Sequence, residues 1–351
     1  MKDRPPDLDE HELRRELRVW EIEPVTLTYV PVGFGDHHWR AMDALGREWF
    51  LTVADLAHKE YCGDTPESAL QGLRHAMDTA AALREEAFGR PGLDFVVAPL
   101  RTVDGETVRP LGPGARYGLS VFPYVEATPG SFDDQLAPEE RAPLIDLLAT
   151  LHTTAPPASA PVLSPELTSR LMLEEALREW EEQPGGPGAR GEAKAVAESP
   201  AQGGDEGPYA EPARALVAKH AAGLRQRLDE FDRLVTELSR SGAELVVTHG
   251  EPHPGNLLWR GDRCLLADWD TAGLAAPERD LWHIAPLSED LARYQAATGR
   301  TPDPSALALY RLRWDLEDLT VYLGWFRAPH VPTQDMAQGW AGLTEIMSRL
   351  A

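Results

Sequence analysis

Glu251, Asn256 and Asp268 are the residues of this chain whose types and spacing could do chemistry together. They share one stretch, ELVVTHGEPHPGNLLWRGDRCLLADWD, residues 244–270. A loop carboxylate, an amide five residues on and a second carboxylate after a hairpin form a layout suited to phosphoryl transfer. One acid orients the attacking hydroxyl, while the amide and the second acid hold a magnesium ion that bridges nucleotide phosphates. The same letters contain His249-x-Glu251-x-His253, which superficially suggests zinc. A metalloprotease pair needs both histidines on one helix face, and Pro252 and Pro254 forbid that helix. A zinc deaminase needs a downstream P-C-x-x-C, and Cys62 and Cys264 stand far apart.

The elements that must position these groups are readable around them. Leu245-Val246-Val247 is an apolar strand run that delivers His249 and Gly250 into a loop. Two prolines and a glycine within Glu251–Gly255 remove donors and fix φ, so that loop is not helical. Asn256–Trp259 and Cys264–Ala267 then read as two short strands joined by the turn Arg260-Gly261-Asp262-Arg263.

The stretch resembles the core of the aminoglycoside phosphotransferase family, antibiotic and small-molecule kinases that share the protein-kinase fold. That core reads H-G-D-x-H-x-x-N, then an apolar strand ending in I-D-W-[ED], then D-L. His249, Gly250, His253 and Asn256 match, followed by Asp268-Trp269-Asp270 and Asp280-Leu281. Glu251 departs from the pattern, standing where the family places its catalytic Asp. In layout the chain is most similar to the spectinomycin-type kinases. The resemblance implies an α+β bilobal fold: a small antiparallel sheet with one helix over residues 1–126, and a larger, mainly helical lobe over residues 127–351.

It also implies roles. Glu251 would position or deprotonate the acceptor hydroxyl, and His253 would contact phosphate or brace the loop. Asp280 would tie the catalytic loop down, and Asn256 and Asp268 would bind Mg²⁺ beside ATP or GTP. Glutamate keeps the charge but adds a methylene, and a misplacement of about an ångström can cost roughly 10²-fold in rate.

The N-terminal third supplies the nucleotide side. Asp9–Trp20 reads as a short charged helix, and Val25–Val32, His37–Met42 and Glu48–Val53 as strands. The turn Gly33-Phe34-Gly35-Asp36 lies where kinases cover phosphates with backbone N–H groups, so Gly33 and Gly35 are nucleotide-side candidates. The third strand puts Thr52 at the position aligned with the family's phosphate-binding lysine, and Lys59 would need a register slip of seven residues. Losing that cation should cost several kcal/mol of phosphate stabilisation unless another replaces it. Arg74, His75 and Arg84 on the next helix, Thr65–Phe88, and Lys219 further on are the alternatives. Phe95–Pro99 and Leu119–Val125 complete a five-stranded antiparallel sheet. The latter resembles the family hinge, with Phe122 behind the base and Pro123, Tyr124 and Val125 along its edge.

Helices are expected over Pro138–Thr153, Pro165–Glu182, Glu211–Leu238, Glu278–Leu291 and Pro304–Arg327. Residues 183–208 are rich in Gly, Pro, Ala, Ser and Glu without apolar periodicity and read as a disordered insertion. In the resembling family the C-terminal helices line the acceptor pocket, which makes Trp314, Asp315 and Asp318 acceptor-side candidates, together with Asp270 from the core motif.

Composition narrows the partners. A net charge of −23 argues against nucleic acid, which demands basic surface, and suits a cationic small-molecule acceptor. No apolar run approaches the roughly 18 residues of a membrane helix. Two cysteines give no disulfide framework, so a reducing cytoplasm is the expected compartment. The leading expectation is an ATP- or GTP-dependent kinase for an aminocyclitol-like molecule, of the kind that confers antibiotic resistance. Taken literally, Thr52 and Glu251 give the alternative, a degenerate kinase fold that binds a ligand and transfers nothing.

Overall fold

A computed structural model describes residues 1–5, 7–59, 61–86, 93–132, 134–182 and 207–351. In chain order the elements are α1 (Glu10–Glu16), β1 (Pro24–Val30), β2 (His37–Asp43), β3 (Glu48–Asp55), α2 (Pro66–Glu86), β4 (Arg109–Leu111) and β5 (Tyr117–Pro123). Then come β6 (Thr128–Pro129), α3 (Pro138–Thr153), α4 (Arg170–Glu182), α5 (Ala210–Ser241), β7 (Val246–Thr248), β8 (Leu257–Arg260), β9 (Arg263–Leu266) and β10 (Gly273–Ala275). Helices α6 (Glu278–Ile284), α7 (Ser288–Thr298), α8 (Pro304–Arg327) and α9 (Gln334–Leu350) close the chain.

The first five strands form one antiparallel sheet in the order β1-β2-β3-β5-β4. Its alternation sorts the residues that matter later. Trp49, Leu51 and Val53 of β3 and Leu119 and Val121 of β5 pack with Leu13, Leu17 and Trp20. With side chains alternating along a strand, Phe50, Thr52 and Phe122 belong to the opposite face, and Phe50 and Phe122 pack there with Leu73 and Met77 of α2.

Two expectations are corrected. The sheet has its five strands, but Phe95–Pro99 is not one of them: Val97 N–H donates to the Leu266 carbonyl and Leu266 N–H to that of Phe95, tying the segment to the end of β9. β4 takes the edge beside β5 instead. The single helix expected over Glu278–Leu291 is two, because Pro286 can neither donate nor let its predecessor stay helical. Most of the expected insertion, and Phe88, fall outside the described residues.

By compactness the chain divides into one unit of Met1–Pro165 with Ser241–Tyr310 and another of Glu166–Arg240 with Arg311–Ala351. The expected lobe boundary at residues 126/127 lies within the first unit. Inside that unit α3 packs on α7, α6 and β7. The second holds α4, α5 and α9, where Tyr209, Phe326 and Trp340 pack ring against ring.

Candidate active site

The loop after β7 is held by one buried acid. Asp280, fully buried in the first turn of α6, accepts the His249 N–H at 2.9 Å and the Gly250 N–H at 2.6 Å. His152, at the end of α3, adds a bond at 3.0 Å and passes the chain of contacts to Tyr294. Burial alone would raise the Asp280 carboxyl, yet His152, Arg279 and the rest of this shell hold it below the usual carboxylate range. Gly250 has φ +100°, and a Cβ there would collide with the Arg279 guanidinium at 2.2 Å, so sterics demand glycine.

His249 couples this loop to the acid after β9. Its Nε2 donates to the Ala267 carbonyl at 2.9 Å, and its Nδ1 accepts the Glu251 N–H at 3.2 Å. Burial lowers the imidazole to about 4, so it is neutral at pH 7, as this donor–acceptor use requires. Asp268 follows Ala267 with φ +65°, an uncommon conformation outside glycine, kept by the Trp269 indole N–H on the Leu266 carbonyl at 2.8 Å. Asn256 donates its amide N–H to the Glu251 carbonyl at 2.9 Å, which leaves its oxygen as the ligand-capable end.

Lys59 brings a cation to these acids, beside Arg279 at Gly250. It lies four residues beyond β3, past a short 3₁₀ turn (Leu56–His58) that Asp55 caps through the Ala57 N–H. Its ammonium is buried, 2.6 Å from Asp270, 3.0 Å from Asp36 and 2.6 Å from the Tyr61 hydroxyl, which itself bonds Asp270 at 2.5 Å. Burial opposes the lysine's charge, but Asp270 and Asp36 hold its pKa well above normal. Burial would raise Asp270 too; Lys59 and Tyr61 pull it below the usual carboxylate range. The remaining acids are less well neutralised. Burial, then the charge of Asp270, pushes Asp268 well above the carboxylate range and Glu251 up to about 7.

The chain from residue 26 to residue 325 matches the profile of APH, the Phosphotransferase enzyme family. The chain belongs to that family. It is therefore a phosphotransferase with an alcohol group as acceptor. No curated protein matches it significantly. Among solved structures, spectinomycin phosphotransferase APH(9)-Ia with ADP and spectinomycin gives a TM-score of 0.65 at 16% identity over 97% of each chain. The amicoumacin kinase hAmiN with AMP-PNP and Ca²⁺ gives 0.56 at 12% identity, over 97% of this chain and 93% of its own. A microcompartment-associated aminopropanol kinase gives 0.56 at 15%, over 97% and 96%. At these identities the likeness is one of fold, the protein-kinase-like fold expected from the sequence.

Against the family pattern, Thr52 is not where the cation enters. Its hydroxyl meets His38 Nδ1 at 3.3 Å, and burial lowers that imidazole to about 3, leaving no charge there. Asp270, an acceptor candidate from the sequence, is instead the counter-ion of Lys59. His253 bonds Asn256 at 3.3 Å and packs edge-on to Phe132, and burial lowers it to about 3, so it is a neutral ring. Gly33 and Gly35, at φ +70° and +93°, shape the turn that brings Asp36 to Lys59. Phe122 pairs with Phe50, and Pro123, Tyr124 and Val125 line a cavity of about 510 Å³ with Ala81, Val96 and Leu265. Lys59, Glu251, Asp268 and Asp270 are not among its lining residues. Trp314, Asp315 and Asp318 belong to the second unit, where Asp315 is taken up by Arg349 at 2.7 Å.

Sequence reasoning passed over Asp36, Tyr61 and the bridging use of His249 and His152. The scarcity of lysine, only Lys2, Lys59, Lys194 and Lys219, was the available signal for Lys59. Among the described residues no group of three or more His, Cys, Asp or Glu side chains could hold a metal by itself. Magnesium shared with phosphates characteristically takes only one or two protein carboxylates.

Proposed function

We propose that this protein is an ATP- or GTP- and Mg²⁺-dependent kinase that phosphorylates a hydroxyl of a small cationic molecule, an aminocyclitol or related amino alcohol. The observation that carries the reading is the buried Lys59 ammonium, set among Asp36, Asp268, Asp270 and Glu251. It supplies the phosphate-neutralising cation that Thr52 lacks, and so removes one of the two grounds for a degenerate kinase. The donor set suits a metal: burial and the charge of Asp270 oppose ionisation of Asp268, which a bound cation would restore, and Asn256 keeps its amide oxygen for a ligand. Asp268 and Asn256 would hold Mg²⁺, which when bound offsets charge on the transferring phosphoryl group.

Glu251 orients the acceptor hydroxyl and takes its proton, and its carboxyl, pushed up to about 7, suits a general base at neutral pH. Asp280 and His249 are positioning residues. Asp280 fixes the backbone ahead of Glu251, while His249 fixes the spacing between Glu251 and Asp268. Neutral His253 braces Asn256 and brings no charge to phosphate. A cationic acceptor fits the net charge of −23 and the compounds named for the structural neighbours, spectinomycin and aminopropanol.

Calorimetric titration of ATP and GTP, each with and without Mg²⁺, into the wild type and Asp268→Asn tests this. Binding that needs Mg²⁺ and is lost in the variant is expected. No nucleotide binding under any condition would sink the kinase reading, and metal-independent binding would leave a ligand-binding fold without the chemistry.

A further inference from the structure

Lys59 has three N–H donors, and all three are in use. Asp270, Asp36 and the Tyr61 hydroxyl lie at 2.6, 3.0 and 2.6 Å from its nitrogen. A phosphate oxygen can therefore reach this ammonium only if one partner leaves. The three are not equally placed to do so. Asp270 is gripped twice, by Lys59 and by Tyr61, and it follows the core strand β9 by way of the buried Trp269. Tyr61 is neutral, close in sequence to Lys59, and bonded to Asp270 at 2.5 Å.

Asp36 differs from both. It ends the turn Gly33-Phe34-Gly35-Asp36, whose first three residues are exposed. A Cβ on Gly35 would meet nothing within 4 Å, and what holds the turn from outside is the N-terminus: the Met1 ammonium donates to the Gly33 and Asp36 carbonyls at 3.2 and 2.7 Å. Asp36 itself is drawn inward until it is only 5% exposed. Its Oδ1, although also 3.0 Å from the ammonium, is buried without a hydrogen bond. Burial and the charge of Asp270 oppose its ionisation, and Lys59 is the main group that offsets them. Asp36 is the most costly of the three partners to keep, and its turn is exposed up to Gly35.

We propose that Asp36 is an internal stand-in for phosphate: in the nucleotide-free protein its carboxylate occupies the Lys59 donor that a nucleotide phosphate takes, and the Gly33–Asp36 turn must release Lys59 before nucleotide is held. This rests on the reading of the Lys59 cluster as the phosphate site. The consequence is a reduced apparent affinity, since only the fraction of molecules with Lys59 released is competent to bind. The same turn that covers the phosphates thereby sets how readily they enter. An incoming polyphosphate meets a carboxylate of its own sign, and that carboxylate has to swing away with the turn.

The test uses sodium tripolyphosphate without Mg²⁺, titrated calorimetrically into the full chain, because this probe has neither base nor transferable acceptor chemistry. Asp36→Asn keeps the shape and removes the charge, and Asp36→Ser is a second variant with a smaller side chain; thermal melting checks that both fold. Each is expected to bind about tenfold more tightly than the wild type. In Asp36→Asn combined with Lys59→Met the gain should vanish, since the donor being released is gone. Unchanged or weaker binding in both single variants overturns the proposal. A gain that survives loss of Lys59 overturns it too, because Asp36 would then act only through its general charge. Were Mg-ATP to fail to bind while the tripolyphosphate gain stood, the kinase reading would fall and the stand-in role of Asp36 would remain.

Discussion

Asp270 and Asp280 are buried acids ten residues apart in the chain, and their surroundings differ in kind. Asp280 is satisfied by groups that never leave: two backbone N–H donors and His152. Asp270 shares its lysine with Asp36 and has Asp268 and Glu251 close enough to be raised by its charge. One centre is closed, with every polar partner internal. The other gathers four acids about Lys59, and burial and mutual repulsion raise Asp36, Glu251 and Asp268, so ionising them together costs stability. A fold accepts such a cost at a working site and fills the rest of its interior with matched pairs.

Replacing Asp268, the proposed metal ligand, should produce the largest functional effect with the opposite sign in stability. Asp268→Asn is expected to lower ADP release by at least about 10³-fold. In chelator it should melt higher than the wild type. The sign follows from a folded-state carboxyl raised above its ordinary 3.8: the fold disfavours the ionised form, so the penalty grows as pH rises above 3.8, and the asparagine gain grows with it. A variant that melts lower at pH 8 would erase the contrast.

At the closed centre the expectation reverses. Asp280→Ala should cost about 3–5 kcal/mol of unfolding free energy, read from urea midpoints, because it strands buried donors. Here the folded carboxyl is depressed, so its stabilisation is present above 3.8 and lost as pH falls through the lower folded value. Equal urea midpoints at pH 7 would mean that Asp280 does not hold the loop.

Glu251 sharpens the comparison from the side of catalysis. With its carboxyl at about 7, turnover should climb about tenfold per pH unit below that value and level off above it. Glu251→Gln should abolish this limb and lower the rate about 10²-fold or more. A flat profile between pH 5 and 8 would remove it as the base. The smallest effect belongs to Asp315, whose partner Arg349 is 41% exposed: Asp315→Ala should cost only about 0–1 kcal/mol, measured by thermal melting, and leave nucleotide affinity unchanged.

Much of the site was legible before any fold was known. Prolines at 252 and 254, glycine at 250 and the acids at 251, 268 and 280 dictated a loop, a hairpin and an acid beyond it, and the structure has each of these. The loop expected to be non-helical holds no α-helix but does take a short 3₁₀ turn over Pro254–Asn256, where a proline at the first position needs no N–H partner. Strand alternation gave the first sheet, apart from its edge. There Phe95–Pro99 was apolar enough for a strand, but its hydrogen bonds go to the end of β9, a partner that local sequence does not name.

The sequence by itself determined the chemistry-bearing loop, because proline, glycine and the order of strands act locally. The tertiary structure alone decided which cation lies beside these acids. Register along β3 pointed to Thr52, yet what matters is where the chain travels after the strand ends. A 3₁₀ turn carries Lys59 to an acid 211 positions away. Electrostatic pairing depends on distance through space, and once Lys59 was buried its charge could persist only against Asp270 and Asp36.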